Sequence, residues 1–164
     1  MTKPSKKLVL RRYQEDRQLP GWDLSGLDLS GEDLSGANLE KANLTEAVLT
    51  GANLEGADLR GALLDGAKLD RANLRRARLC DLEATGSGID FAGADLTDAD
   101  LSGAKLEYTS FVGAKLARVS FKGSVLGNVN LSNADLTGVL LADLGYPIEV
   151  LRRIGATGLP PAKP

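Results

Sequence analysis

Leucine returns at every fifth position, 24, 29, 34, 39, 44, 49, 54, 59, 64, 69, 74 and 79, without a gap. The residue two places earlier is alanine at each step from Ala37 to Ala77. A fixed short period constrains the fold before any local propensity is consulted. Five matches neither the 3.6-residue turn of a helix nor the two-residue alternation of a strand. A chain that turns a corner every five residues satisfies it. Leucine and alanine then point inward from each side, and the other three residues face water. Four such sides close a square coil of about twenty residues, and coils stack at the strand spacing of about 4.8 Å.

After an interruption the frame resumes at Phe91 and runs through Leu96, Leu101, Leu106, Phe111, Leu116, Phe121, Leu126, Leu131, Leu136 and Leu141. The interior is narrow, so one large and one small residue per side is what fits. Glycine at 26, 31, 36, 51, 56, 61 and 66 suits corners through its backbone freedom. Asp or Asn before many of the leucines suits them through side-chain bonds to nearby amides.

The triplets Ala37-Asn38-Leu39, Ala42-Asn43-Leu44, Ala57-Asp58-Leu59, Ala94-Asp95-Leu96 and Ala134-Asp135-Leu136 resemble the Ala-(Asp/Asn)-Leu-x-x motif of the pentapeptide-repeat family. The resemblance runs from Trp22 to about Asp143. It implies an all-β solenoid, a right-handed quadrilateral β-helix, here of about six coils and on the order of 29 Å long. The family as such implies no single activity. Some members resemble a DNA rod in size and charge and bind DNA gyrase, inhibiting it or shielding it from quinolones.

Residues 1–21 are predicted to form a capping helix and turn, 22–143 the coils, and 144–164 a second capping helix with a loose tail. Residues 5–17 are read as the first helix, with Ser5 its candidate N-cap. Leu8, Val9, Leu10 and Tyr13 form its apolar side, and Pro20-Gly21 ends it. The open end of a β-helix exposes core and strand edge, so it needs a cover. A basic membrane-surface helix is the alternative, since Lys3, Lys6, Lys7, Arg11 and Arg12 cluster there, but the apolar face is small. Trp22 and Leu27 take the usual alanine place where the coil meets the helix. From Ala84 to Phe91 the step is seven residues, so two are inserted, near 85–88. Phe91 and Phe111 fall one coil apart on one side and are expected to stack. Val119, Val129 and Val139 replace the inward alanine. Pro147 opens a second helix whose apolar side is Ile148, Val150, Leu151 and Ile154, ending near Gly155, with Arg152 and Arg153 in its last turn. A homodimer through this end is expected, because uncovered apolar ends self-associate.

The chain of 164 residues contains no histidine, which removes the commonest general base and metal ligand. Cys80 is the single cysteine, so no internal disulfide is available and a reducing compartment fits. No apolar run is long enough to span a membrane. The chain is read as cytoplasmic. Calcium-binding β-helix repeats are glycine-rich and nine residues long, a period not present here, so the aspartates are read as turn residues. No catalytic residue, cofactor site or metal site is assigned, and the protein is read as non-enzymatic.

The sharpest local feature is a basic run, Lys68, Arg71, Arg75, Arg76 and Arg78, preceded by Arg60, which in principle grips phosphates. Stacking at offsets of twenty, or twenty-two across the insertion, tests this. It sets Arg60 over Glu40, Arg75 over Glu55, Arg78 over Asp58 and below Asp100, and Arg76 below Asp98. Asp98 pairs with Arg118, and Asp95, Lys115 and Asp135 form one column. Arg71 and Lys68 lack a partner. The primary functional reading is a rigid protein-interaction scaffold, with outward Leu63, Tyr108, Val112 and Val125 as candidate contact residues and Val48 a further outward apolar residue that breaks the polar pattern. Tyr108, Val112 and Val125 are expected near one corner. The alternative is a DNA mimic that binds DNA gyrase. It has the rod shape, but a net charge of −2 with paired arginines departs from a uniformly acidic wall.

Overall fold

The computed structural model describes residues 3–84 and 86–161. The five-residue frame folds as a square solenoid with four walls. Wall one is centred on Leu19, Leu39, Leu59, Leu79, Leu101 and Phe121. Wall two follows at Leu24, Leu44, Leu64, Ala84, Leu106 and Leu126, wall three at Leu29 through Phe91 to Leu131, and wall four at Leu34 through Leu96 to Leu136. Each wall is a parallel ladder: the residue before each centre bridges its equivalent one coil on, as in Asn53 to Asn73 and Asp58 to Arg78. On wall two the ladder lengthens into strands β1 (Glu83–Ala84), β2 (Lys105–Glu107) and β3 (Val125–Gly127).

One repeat shows why the sequence does this. The Leu54 N–H donates to the Asn73 carbonyl at 2.7 Å, and the Asn73 N–H donates to the Ala52 carbonyl at 2.9 Å. The Ala57 N–H then closes back on the Leu54 carbonyl at 3.0 Å, making a four-residue turn. Gly56, third in that turn, has φ +66°. A turn with positive φ only at its third residue is type II, which favours glycine there. Side chains reinforce the bend. Asn53 Oδ1 accepts from the Glu55 N–H at 3.2 Å, and the same bond recurs from Asp23, Asp28, Asp33, Asn38, Asn43, Asn73 and others. The asparagines also ladder vertically: Asn73 Nδ2 donates to Asn53 Oδ1, and Asn53 Nδ2 to Asp33 Oδ1, each at 3.0 Å.

The interior is a column of leucine and alanine; Leu54 and Leu74 lie one above the other, both fully buried. Each buried leucine contributes about 1.5–3 kcal/mol relative to exposure. Phe91 and Phe111 stack with centroids 5.2 Å apart and planes within 9°, as expected, and Phe121 meets Phe111 edge-on at 6.0 Å. Val119 and Val139 are buried in the alanine place, and Val129 is half-buried.

At the N-terminal end helix α1 (Lys6–Asp16) is capped by Ser5, whose hydroxyl accepts from the Leu8 N–H at 3.3 Å. Two details differ from the sequence expectation. The helix itself ends where expected, at Arg17, which takes a left-handed conformation, but the coil already begins at Gln18, which bridges Asn38. Leu19-Pro20-Gly21 is therefore already a side, with Leu19 fully buried, and the solenoid starts one side before Trp22. Leu8 is exposed rather than part of the apolar face, because Val9 and Tyr13, four apart, define the side that faces the coil. The Tyr13 hydroxyl donates to the Ser35 carbonyl at 2.9 Å, and Lys6 pairs with Glu32 at 2.7 Å.

At the other end a 3₁₀ turn (Leu141–Leu144) and helix α2 (Ile148–Arg153) bury Leu144 and Leu151. The chain then returns to the solenoid: Thr157 bridges Asp135, and the Leu136 N–H donates to the Thr157 carbonyl at 3.0 Å. The segment read as a loose tail starts after this extra rung, and its residues 162–164 lie outside the described ones. The two inserted residues fall between Glu83, which pairs with Leu63 at an offset of twenty, and Asp90, which pairs with Lys68 at twenty-two. The Gly86 N–H donates to Asp65 Oδ1 at 2.8 Å, holding the insertion against the coil below.

Candidate functional site

The basic run is contiguous in sequence and dispersed in space. Lys68 stands on wall three between Val48 and Asp90. Arg71 occupies the corner between walls three and four, Arg75 and Arg76 the next corner, and Arg78 wall one between Asp58 and Asp100. One coil of a square solenoid carries these residues round three walls, so they form a belt and not a patch. Most are paired. Arg78 meets Asp58 at 3.2 Å, and Arg60 meets both Glu40 at 3.3 Å and Asp58 at 2.8 Å. Arg118 makes a two-pronged pair with Asp98 at 2.6 and 2.8 Å, and Lys115 meets Asp95 at 3.5 Å.

Two pairings differ from straight vertical stacking. Arg75 reaches Asp95 at 3.5 Å instead of Glu55, and Arg76 reaches down to Glu55 at 3.4 Å instead of up to Asp98. The two arginines sit side by side on one corner, so they divide the carboxylates above and below, and Asp98 is left to Arg118. Among the described residues, the carboxylate that Arg71 meets is that of its neighbour Asp70, at 3.8 Å. The Arg60 hydrogen bond leads in holding Asp58 below the ordinary carboxylate range, and the Arg118 bond does the same for Asp98. Pairs this exposed contribute about 0–1 kcal/mol each. They order the surface more than they stabilise it.

The apolar candidates sort differently. Leu63 and Val125 stand in the same outward column of wall two, separated by Glu83 and Lys105: the bridges run Leu63 to Glu83, Glu83 to Lys105 and Lys105 to Val125. Both apolar residues are exposed, at 41% and 58%. Glu83 and Lys105 pair between them at 2.7 Å. Tyr108, 60% exposed, sits at the corner between walls two and three. Val112 is half-buried one corner further on, so it does not join Tyr108 and Val125 as expected. Val48 is half-buried on wall three. A shallow hollow of about 220 Å³ beside Tyr108 is lined by Lys68, Ser87, Ile89, Asp90 and Ser110.

Tyr108 shows a turn conformation that the five-residue frame contained. It takes the third turn place, where glycine is usual, and has φ +53°. A side chain in the left-handed region costs about 1–2 kcal/mol. Ten other described non-glycine residues, Arg71 and Arg76 among them, also have positive φ, so the conformation belongs to the turn and does not single out Tyr108. The same frame gives the Leu63–Glu83–Lys105–Val125 column by counting twenty, twenty-two and twenty.

Cys80 lies half-buried at the corner between walls one and two, and its thiol donates to Asp100 Oδ2 at 3.1 Å. Burial, followed by the Asp100 bond, pushes its pKa upward, away from thiolate reactivity. Among the described residues no group of three or more His, Cys, Asp or Glu side chains converges as a metal site, and no helix is long and apolar enough to cross a membrane.

Comparison with known proteins places the repeat frame. The family model for pentapeptide repeats matches in 8 copies, over residues 23–56, 42–81, 87–123 and 114–141. Among solved structures, the pentapeptide repeat protein Rfr23 from the cyanobacterium Cyanothece 51142 is 26% identical, with a TM-score of 0.56, over 82% of this chain and 98% of its own. A pentapeptide repeat protein of the Arabidopsis thaliana thylakoid lumen is 30% identical over 84% of this chain and 77% of its own, with a TM-score of 0.43. QnrB1, a plasmid-mediated fluoroquinolone resistance protein, is 20% identical over 74% of this chain and 68% of its own, with a TM-score of 0.40. No curated protein compared with the chain matches it.

Proposed function

The chain belongs to the pentapeptide-repeat family, whose fold is the right-handed quadrilateral β-helix, and on that premise we propose that it serves as a rigid, non-catalytic scaffold that holds another protein. The observation that carries this reading is the outward column of wall two. Elsewhere the wall positions are largely filled by Asp, Asn and charged pairs that satisfy one another. On wall two Leu63 and Val125 face water, with Tyr108 exposed at the edge. Leu63 and Val125 stand on either side of the Glu83–Lys105 pair, so the column offers a partner two apolar contacts round one ion pair. The rod presents that column on a backbone fixed by ladder bonds at every level, which suits recognition without rearrangement.

The alternative, a DNA mimic directed at DNA gyrase, draws on the rod shape alone. Arg60, Arg78 and Arg118 stand among carboxylates, so the walls alternate in sign where a DNA mimic would be acidic throughout.

Affinity purification from the native host, followed by mass spectrometry, tests the scaffold reading. The Tyr108→Glu and Val125→Glu variants are expected to lose partners that the unmodified chain retains. An identical partner set from all three removes wall two as the contact surface.

A further inference from the structure

We propose that the occupant of wall two is a second copy of this chain, docked antiparallel and face to face. This rests on the reading of wall two as an interaction surface and names its partner. The column reads apolar, acidic, basic, apolar: Leu63, Glu83, Lys105, Val125. A two-fold axis lying in the interface, midway between the Glu83 and Lys105 levels, sets each residue against its complement. Leu63 meets Val125 of the second copy, and Glu83 meets Lys105. The same two contacts recur in reverse on the other side of the axis, as an isologous interface requires.

The chemistry favours this occupant over an arbitrary apolar partner. Glu83 and Lys105 already pair within one chain at 2.7 Å, with half of each side chain still exposed. A second copy places an ammonium against each carboxylate's open side, giving four charges that alternate in both directions. The two apolar contacts flank this square above and below and exclude water from it. A partner with a purely apolar strip would instead strand the ion pair against hydrocarbon, which is costly. The axis also keeps corners together. Tyr108 of each copy then faces the Gly86-Ser87 edge of the other, where the insertion offers small residues to receive a ring. The C-terminal end, the site expected from sequence for self-association, is occupied by the chain's own 3₁₀ turn, by α2 and by the Thr157 rung.

Charge exchange tests the arrangement, read by sedimentation equilibrium over a protein concentration series. The unmodified chain is expected to be dimeric. Glu83→Lys sets lysines against lysines across the axis and Lys105→Glu sets glutamates against glutamates. Each is expected to weaken the dimer by about a hundredfold or more, because facing like charges cost several kcal/mol. The double variant Glu83→Lys/Lys105→Glu restores opposite charges within and between chains, and is expected to recover most of the affinity. All three variants change only exposed side chains, and an unaltered circular dichroism spectrum confirms that they fold. A monomer at every concentration overturns the proposal, while the scaffold reading then still stands or falls with the affinity purification. A dimer indifferent to all three variants but broken by Leu140→Glu, at the exposed edge of the C-terminal end, also overturns it and moves the contact to that end.

Discussion

Gly56 has φ +66°, and a Cβ built there would meet nothing within 4 Å. Space is therefore not the reason for glycine at this corner; backbone conformation is. Gly56→Ala is expected to cost about 1 kcal/mol, seen as a lower urea midpoint with an unchanged slope. Arg71 gives the converse. It holds the same place with φ +57°, its side chain is 82% exposed, and its nearest carboxylate is 3.8 Å away. Arg71→Gly is expected to raise stability by about 1 kcal/mol, because relief of the left-handed strain outweighs one weak exposed contact. Tyr108→Gly should stabilise for the same reason while abolishing any contact the ring makes. A variant that gains stability and loses binding separates the two roles of one residue. This logic was legible in the sequence only in part. Glycine two places after many of the leucines announced the corner, but that Lys41, Glu46, Arg71 and Tyr108 share its strained backbone follows only once the frame is read as a repeated turn.

The basic helix α1 and the first coil explain each other. Three successive sides of that coil present Asp23, Asp28 and Asp33, and Lys3, Lys6 and Arg17 lie close enough to act on them. The N-terminal segment therefore reads as a cover matched in charge to what it covers, with Lys6 paired to Glu32 of the first coil. The main cause holding these three carboxyls below their ordinary value is local: each accepts hydrogen bonds from the serine two residues on, and the nearby cations add to it. The sign follows from linkage. A carboxyl with a depressed folded pKa contributes stability that is fully present above the unfolded value of about 3.9 and is lost as pH falls through the folded value. Stability is expected to be flat from about pH 8 to 5 and to fall below about pH 4. The triple variant Asp23→Asn/Asp28→Asn/Asp33→Asn keeps an acceptor oxygen for each serine amide and removes the titration. Its urea midpoint is expected to change less between pH 7 and pH 3.5 than that of the unmodified chain. The pairing of Arg75 and Arg76 was not legible in this way. Column arithmetic fixes which residues share a level, but two long side chains on one corner choose among carboxylates by reach.

For the whole molecule, the twenty-residue coil is the unit that the sequence encodes and the fold repeats, so it should also be the unit that can be removed. Deleting residues 42–61 joins Lys41, at a corner of wall one, to Ala62, an inward alanine of wall two, and every later leucine keeps its side. The new stacking places Arg78 above Asn38 in place of Asp58, Arg76 loses Glu55, Glu40 loses Arg60, and the Arg60–Asp58 pair leaves with the level, so four charge pairs are given up. The level also takes with it the buried Leu44, Leu49, Leu54 and Leu59. The remaining coils keep their frame, their nearest-neighbour ladders and both end covers, so the shortened chain should fold, with a modestly lower melting temperature and one cooperative transition. Deleting residues 42–59 instead removes almost the same mass and destroys the frame: Arg60 falls in the inward alanine place and Leu64 in the left-handed corner. That variant is expected to lack the native circular dichroism spectrum and to aggregate. If both deletions fold equally well, the five-residue frame is not what positions the core. If neither folds, the coils are not separable units and the solenoid's stability depends on contacts specific to the removed level.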